Sequence, residues 1–318
     1  MGELQGKARV RGLFVLVLLL NLGIWVVAWL NFHSSASLLG LAVIAYSFGL
    51  RHALDADHIA AIDNATRRLM LAGRSSRGVG IYFSLGHSTV VLLLSLVIAL
   101  SATLVQEHFD ELVTIGKTLG TGISILFLVT VGLANLRLAV GLWRQHRQQQ
   151  AGGAAVEPRL RTPWYGGVFK LVQRSWHMYP LGFLFGLGFE SATEVGLLGI
   201  SADSASSHWP VWQIMIFPLL FSAAMVMVDA IDGFLMLGGY GWGRRGVASK
   251  IYYNLAVTMV SVGVALVIAL IQVMGLIDAH FATAAWFHGM VGFMEQNFSL
   301  IGVLIMGIFA LGWLAAAA

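Results

Sequence analysis

Apolar stretches near the length that crosses a bilayer, about 20 residues, recur along this chain at 12–30, 37–63, 78–104, 116–142, 180–201, 209–237, 250–276 and 297–315. The sequence therefore predicts an all-α, polytopic membrane protein with eight transmembrane helices, read as one domain over 1–318. Composition agrees, because 58% of residues are hydrophobic and only 11% charged, against about 25% charged in a soluble domain. The first run follows Lys7, Arg9 and Arg11, as a signal peptide would. It lacks a small-residue cleavage site and more spans follow, so an uncleaved first helix is expected.

Positive charge fixes the expected orientation. Arg67, Arg68, Arg74 and Arg77 lie between the second and third runs. Arg144, Arg147, Arg159, Arg161, Lys170 and Arg174 lie between the fourth and fifth, and Arg244, Arg245 and Lys250 between the sixth and seventh. The alternate loops hold only Lys117. By the positive-inside rule both termini are cytoplasmic, in a multi-pass protein of the cell's inner membrane. The net charge of +4 is then a topology signal and implies no nucleic-acid partner; the partners expected are the bilayer and a divalent metal ion. A cytoplasmic linker at about 144–178 separates two halves. Its last part, Lys170 to Met178, mixes aromatic and basic residues as a membrane-surface segment does. Cysteine is absent, so any metal is held by nitrogen, oxygen or thioether donors rather than thiolates.

Four of the apolar runs carry ionisable residues, which cost roughly 2.5–3.5 kcal/mol each in hydrocarbon and persist there mainly as site residues. The second run contains Arg51-His52-Ala53-Leu54-Asp55-Ala56-Asp57-His58-Ile59. On an ideal helix His52, Asp55 and His58 fall at about 0°, −60° and −120°, a single stripe, while Asp57 falls at about 140°. Either the helix is distorted there or Asp57 faces a second partner such as Arg51. The third run holds Phe83-Ser84-Leu85-Gly86-His87-Ser88-Thr89, in which His87 is a candidate third imidazole or a packing residue. In the fifth, Glu190 and Glu194 share a helix face, and two carboxylates side by side suit a cation or proton between them. In the sixth, Asp229 and Asp232 are three apart, one turn after Met225. His with Asp is ligand chemistry for a divalent ion of borderline softness, so metal-ion movement across the membrane is the first hypothesis.

A faint internal repeat runs through these insertions. Phe48-Gly49-Leu50 matches Phe185-Gly186-Leu187, which aligns Asp57 with Glu194, and Phe83-x-Leu85-x-x-Ser88 matches Phe217-x-Leu219-x-x-Ser222. The expected orientation makes the copies opposed, the inverted-repeat pattern of secondary transporters.

With these segments in place, the chain resembles the NiCoT family of nickel/cobalt permeases. The family's Arg-His-Ala-(Val/Phe)-Asp-Ala-Asp-His-Ile stretch matches Arg51 to Ile59, with Leu54 at the variable place. Its Gly-His-Ser pattern matches Phe83 to Val91 throughout, and its fifth-helix pattern matches Leu187 to Glu194 except for Ser191. The sixth-helix match is the loosest: Ala224 and Ala230 stand where the family has glycine and a hydroxyl residue. The resemblance implies uptake of Ni²⁺, Co²⁺ or both as transported substrate, with no cofactor and no enzymatic activity. It also implies metal recognition by His52, Asp55, Asp57 and His58. Three rival readings remain. An exporter of the same ions often carries a His-rich cytoplasmic loop, and 148–174 has no histidine. An intramembrane metalloenzyme would need a motif such as His-Glu-x-x-His, which does not occur. Haem ligation by His52, His58 or His87 conflicts with the carboxylates and Arg51 crowding the same turn.

Overall fold

The computed structural model describes residues 2–100, 102–150, 172–188, 191–242, 247–281 and 283–317. Among them the regular elements are all helical. In chain order these are α1 (Gly2–Phe32), α2 (Ala36–His52), α3 (Ala56–Leu71), α4 (Val79–Leu100), α5 (Ala102–Gln150) and α6 (Met178–Gly186). They continue as α7 (Ala192–Ser206), α8 (Val211–Ile214), α9 (Ile216–Trp242), α10 (Val247–His280), α11 (Ala285–Gln296) and α12 (Phe298–Ala317). A 3₁₀ turn at Ser175–His177 precedes α6.

Five segments are long and apolar enough to cross a membrane: Arg11–Phe32, Val79–Leu100, Thr114–Gly141, Val211–Leu237 and Thr258–His280. Two further pairs, α2 with α3 and α11 with α12, pass the same test only as spans bent by 51° and 60°. The polytopic all-α fold thus stands with five spans, or up to seven. The fifth expected stretch, 180–201, falls on α6 and α7, neither of which is long enough to cross alone. Leu19, Leu22, Leu30, Leu126, Leu304 and Leu311 lie exposed on the outside, the surface that lipid covers.

The bend in the second run overturns the continuous helix behind the stripe argument. α2 stops at His52 without proline: Leu54 N–H turns back to the Arg51 carbonyl, and Asp55 N–H to that of His52, at 3.1 and 2.9 Å. Asp55 is then extended (φ −63°, ψ 142°) and begins α3. Aspartate is a favoured residue at a helix start because its side chain caps free N–H groups. Here it makes no such cap and turns to other helices instead, so the break belongs to a tertiary network. Asp57 falls in the first turn of α3 and Glu194 in the first turn of α7. The positive end of a helix favours negative charge at both places.

Small residues allow the crossings, as membrane interfaces require. A β-carbon on Gly49 of α2 would collide with the Phe221 carbonyl of α9, and one on Gly182 of α6 with the Phe83 carbonyl of α4. The packing echoes the sequence repeat. Gly49 aligns with Gly186 and Phe221 with His87, and Gly186 backs onto the His87 carbonyl (2.9 Å to its Cβ position) as Gly49 backs onto that of Phe221. α2 packs mainly on α9, α6 on α4, α3 also on α9 and α7 also on α4, the exchange that two related halves would make.

Candidate metal-ion site

His52 ends α2, His58 lies in the first turns of α3, and His87 sits midway along α4. The bend folds α3 back so that the three rings meet, with centroids 4.7 Å (His52–His58), 4.9 Å (His52–His87) and 5.0 Å (His58–His87) apart. One nitrogen from each ring lies within 4.8 Å of the others. All three are buried.

The closest contacts converge on one point. His52 Nε2 and His87 Nε2 are 3.1 Å apart, and Glu194 Oε1 from α7 lies 2.8 Å from His87 Nε2 and 3.6 Å from His52 Nε2. Two nitrogens on one first-row ion with bonds of about 2.1 Å sit about 3.0 Å apart in a cis-octahedral arrangement and about 3.4 Å apart in a tetrahedral one. The observed 3.1 Å falls within that range, and it is also a hydrogen-bond distance between the two rings. His87 Nδ1 and Glu194 Oε2 have no hydrogen-bond partner among the described residues, an expensive condition for buried polar atoms.

Each of the other two rings is backed by a carboxylate. His58 Nδ1 pairs with Asp229 Oδ2 of α9 at 3.2 Å, and Asp229 accepts a hydrogen bond from Ser84 Oγ of α4. His52 Nδ1 lies 3.3 Å from Asp55 Oδ2, within ion-pair range though not aligned as a hydrogen bond, and Asp55 accepts from Ser299 Oγ of α12. A carboxylate on one ring nitrogen fixes the ring and leaves the other nitrogen free for a metal. Asp57 takes the His58 backbone N–H at 2.9 Å and Gln272 Nε2 of α10 at 3.4 Å, and Gln272 in turn accepts from Ser124 of α5. Both sequence alternatives for Asp57 hold: the helix is broken, and the carboxylate has a second partner. That partner is Gln272, however, and not Arg51.

The sequence candidates do not all meet in one place. His52, His58, His87, Asp55, Asp57 and Glu194 line one cavity of about 170 Å³ together with Arg51. Asp229 stands behind His58 and does not line it. Asp232 stays apart: buried, with neither oxygen hydrogen-bonded among the described residues, it lies in the field of Asp229 and Asp63. Glu190 lies outside the described residues. Sequence reasoning misses Ser84, Gln272 and Ser299. Their only signal is a polar side chain within an apolar run, beside His87 in the case of Ser84, and packing bonds also produce such residues. The cavity runs from the rings to a mouth where Lys117 and Glu295 form a half-exposed ion pair at 3.6 Å.

Comparisons with known proteins assign the chain to a family. Residues 38–318 match the family NicO, described as high-affinity nickel-transport protein. The chain is 42% identical to the high-affinity nickel transport protein of Cupriavidus necator, over 98% of this chain and 91% of that one. It is 37% identical to the nickel transporter NixA of Staphylococcus aureus (90% and 86% covered) and 36% identical to the cobalt transport protein NhlF of Rhodococcus rhodochrous (99% and 92%). No solved structure matches it significantly. With a matched family across most of its length and relatives at 36–42% identity named for nickel or cobalt transport, this chain belongs to the NicO family of high-affinity nickel-transport proteins, a transporter and not an enzyme.

Proposed function

We propose that the protein is a secondary transporter that takes up Ni²⁺, Co²⁺ or both across the cytoplasmic membrane. The cation would be held inside the bundle by His52, His58 and His87 with Glu194. The observation that carries this reading is the convergence of three imidazoles and one carboxylate, drawn from α2, α3, α4 and α7, on a point at the end of a cavity. Asp55 and Asp229 are positioning residues that hold the rings of His52 and His58, and Asp57 is a further oxygen donor on the cavity wall. The mouth beside Lys117 and Glu295 lies on the face that the positive-inside rule makes external, which favours uptake over export. Cobalt enters because imidazole and carboxylate donors suit Co²⁺ as well as Ni²⁺, and because one relative is named for it.

An inward-negative potential supplies about 2.3 kcal/mol per charge per 100 mV, and a divalent ion gains twice that, so uptake needs no ATP. In proteoliposomes, radiolabelled Ni²⁺ should accumulate when a negative interior potential is imposed, and collapse of the potential should remove the accumulation. Uptake independent of the three histidines, or no accumulation when the interior is made negative, contradicts the reading.

The backing hydroxyls give a graded test. Ser84→Ala frees Asp229, and Ser299→Ala frees Asp55, without removing a ligand. Each should weaken the apparent affinity for Ni²⁺ about tenfold, the lower end of what such outer partners contribute, with expression unchanged. Wild-type affinity in both variants would mean that the rings are held by packing alone.

A further inference from the structure

On a different face of the molecule, the loop 72–78 between α3 and α4 meets the segment just before α6. Two bonds lock them together: Arg74 Nη1 donates to the Gln173 carbonyl at 3.1 Å, and the buried Ser175 Oγ donates to the Ser75 carbonyl at 3.0 Å. The loop is pinned by Gly73 (φ +66°) and Gly78 (φ +79°), a left-handed backbone that other residues rarely adopt. Between the two segments lies a pocket of about 620 Å³ lined by Arg74, Arg77 and Arg174 with Tyr82 and Trp176.

Three arginines therefore line one pocket, and among the described residues none of the three makes an ion pair with a carboxylate. Arg68 is close enough to Arg74 to be repelled by it. Holding like charges together in a fixed frame has a cost that an anion would remove. The donor fork of arginine matches phosphate oxygens two at a time. Trp176 and Tyr82 are exposed beside the pocket, the place of aromatic residues at a membrane–water interface. Basic pockets between helices on the cytoplasmic side take lipid head groups, and the positive-inside rule puts both segments on that side.

We propose that this pocket binds a phosphate-bearing anion at the membrane surface, either the head group of an acidic phospholipid or free phosphate. The proposal does not depend on the metal site. It is tested on the full-length protein in neutral detergent by thermal shift and native mass spectrometry. The probes are phosphatidylglycerol, phosphatidylcholine as the neutral control, and inorganic phosphate against chloride at equal ionic strength. Phosphatidylglycerol should raise the melting temperature and stay bound in the mass spectrum, while phosphatidylcholine should not. Arg74→Gln and Arg174→Gln should each weaken that binding about tenfold, the worth of a charge-assisted hydrogen bond. Arg244→Gln with Arg245→Gln, which removes twice the charge of either single variant elsewhere in the sequence, should leave it intact. The same pattern with inorganic phosphate alone supports the site and identifies free phosphate as its ligand. If the glutamine variants do not fold, Arg74→Lys with Arg174→Lys keeps the charge and should still weaken binding by removing the fork. Unchanged binding in the pocket variants, or equal loss in the Arg244/Arg245 control, overturns the proposal.

Discussion

Replacing His58 with alanine should abolish Ni²⁺ uptake while leaving the amount of membrane-inserted protein unchanged. The ring supplies one of three buried nitrogens within 4.8 Å of one another, and no described side chain stands ready to take its place. Its removal also strands Asp229, which is fully buried and holds the His58 Nδ1. Loss of an outer partner alone costs roughly 10- to 100-fold in metal affinity, and loss of the ligand itself should exceed that. His52→Ala should be equally severe, since it removes the nitrogen 3.1 Å from His87. Radiolabelled uptake in cells with matched expression reads the effect. Wild-type uptake by His58→Ala would remove the proposed site from the transport path.

The second large effect is on assembly. Gly49→Val places a branched side chain where α2 meets the Phe221 carbonyl of α9, a backbone atom that cannot swing aside. Overpacking of a side-chain core costs about 1–3 kcal/mol, and a helix backbone yields less, so the folded yield should fall sharply. Gly40→Val, on the same helix with nothing within 4 Å of its Cβ position, should be silent. Size-exclusion profiles in detergent distinguish the two. A normal profile for Gly49→Val would mean that α2 and α9 are not packed this closely.

The contrast between Gly49 and Gly40 illustrates what a sequence alone conveys about such a bundle. Both glycines interrupt one apolar run, and only the three-dimensional crossing tells which is needed. The site is more legible than the packing. Ionisable residues in hydrocarbon need a reason, so His52, Asp55, Asp57, His58, His87 and Glu194 stand out from composition and position alone, and these six line one cavity. Their roles do not stand out in the same way. The period of an ideal helix puts Asp57 off the stripe, and the chain resolves this by ending α2 at His52 and starting α3 at Ala56. No proline or glycine between them announces that break, because its cause lies in Ser299 and Gln272, more than 200 residues away. Asp229 draws notice through its spacing from Asp232, yet it serves His58 while Asp232 lies elsewhere. Span counting meets the same limit: hydropathy marks 37–63 as one helix, whereas α2 and α3 meet at a bend of 51°.

The central claim, that three imidazoles hold the transported ion inside the bundle, is tested most directly by nickel K-edge X-ray absorption on the purified protein loaded with one equivalent of Ni²⁺. Multiple scattering from the three imidazoles of His52, His58 and His87 is expected, together with oxygen neighbours and no sulfur. A weaker imidazole signal is expected in His87→Gln. A shell of oxygen atoms without imidazole scattering would contradict the claim.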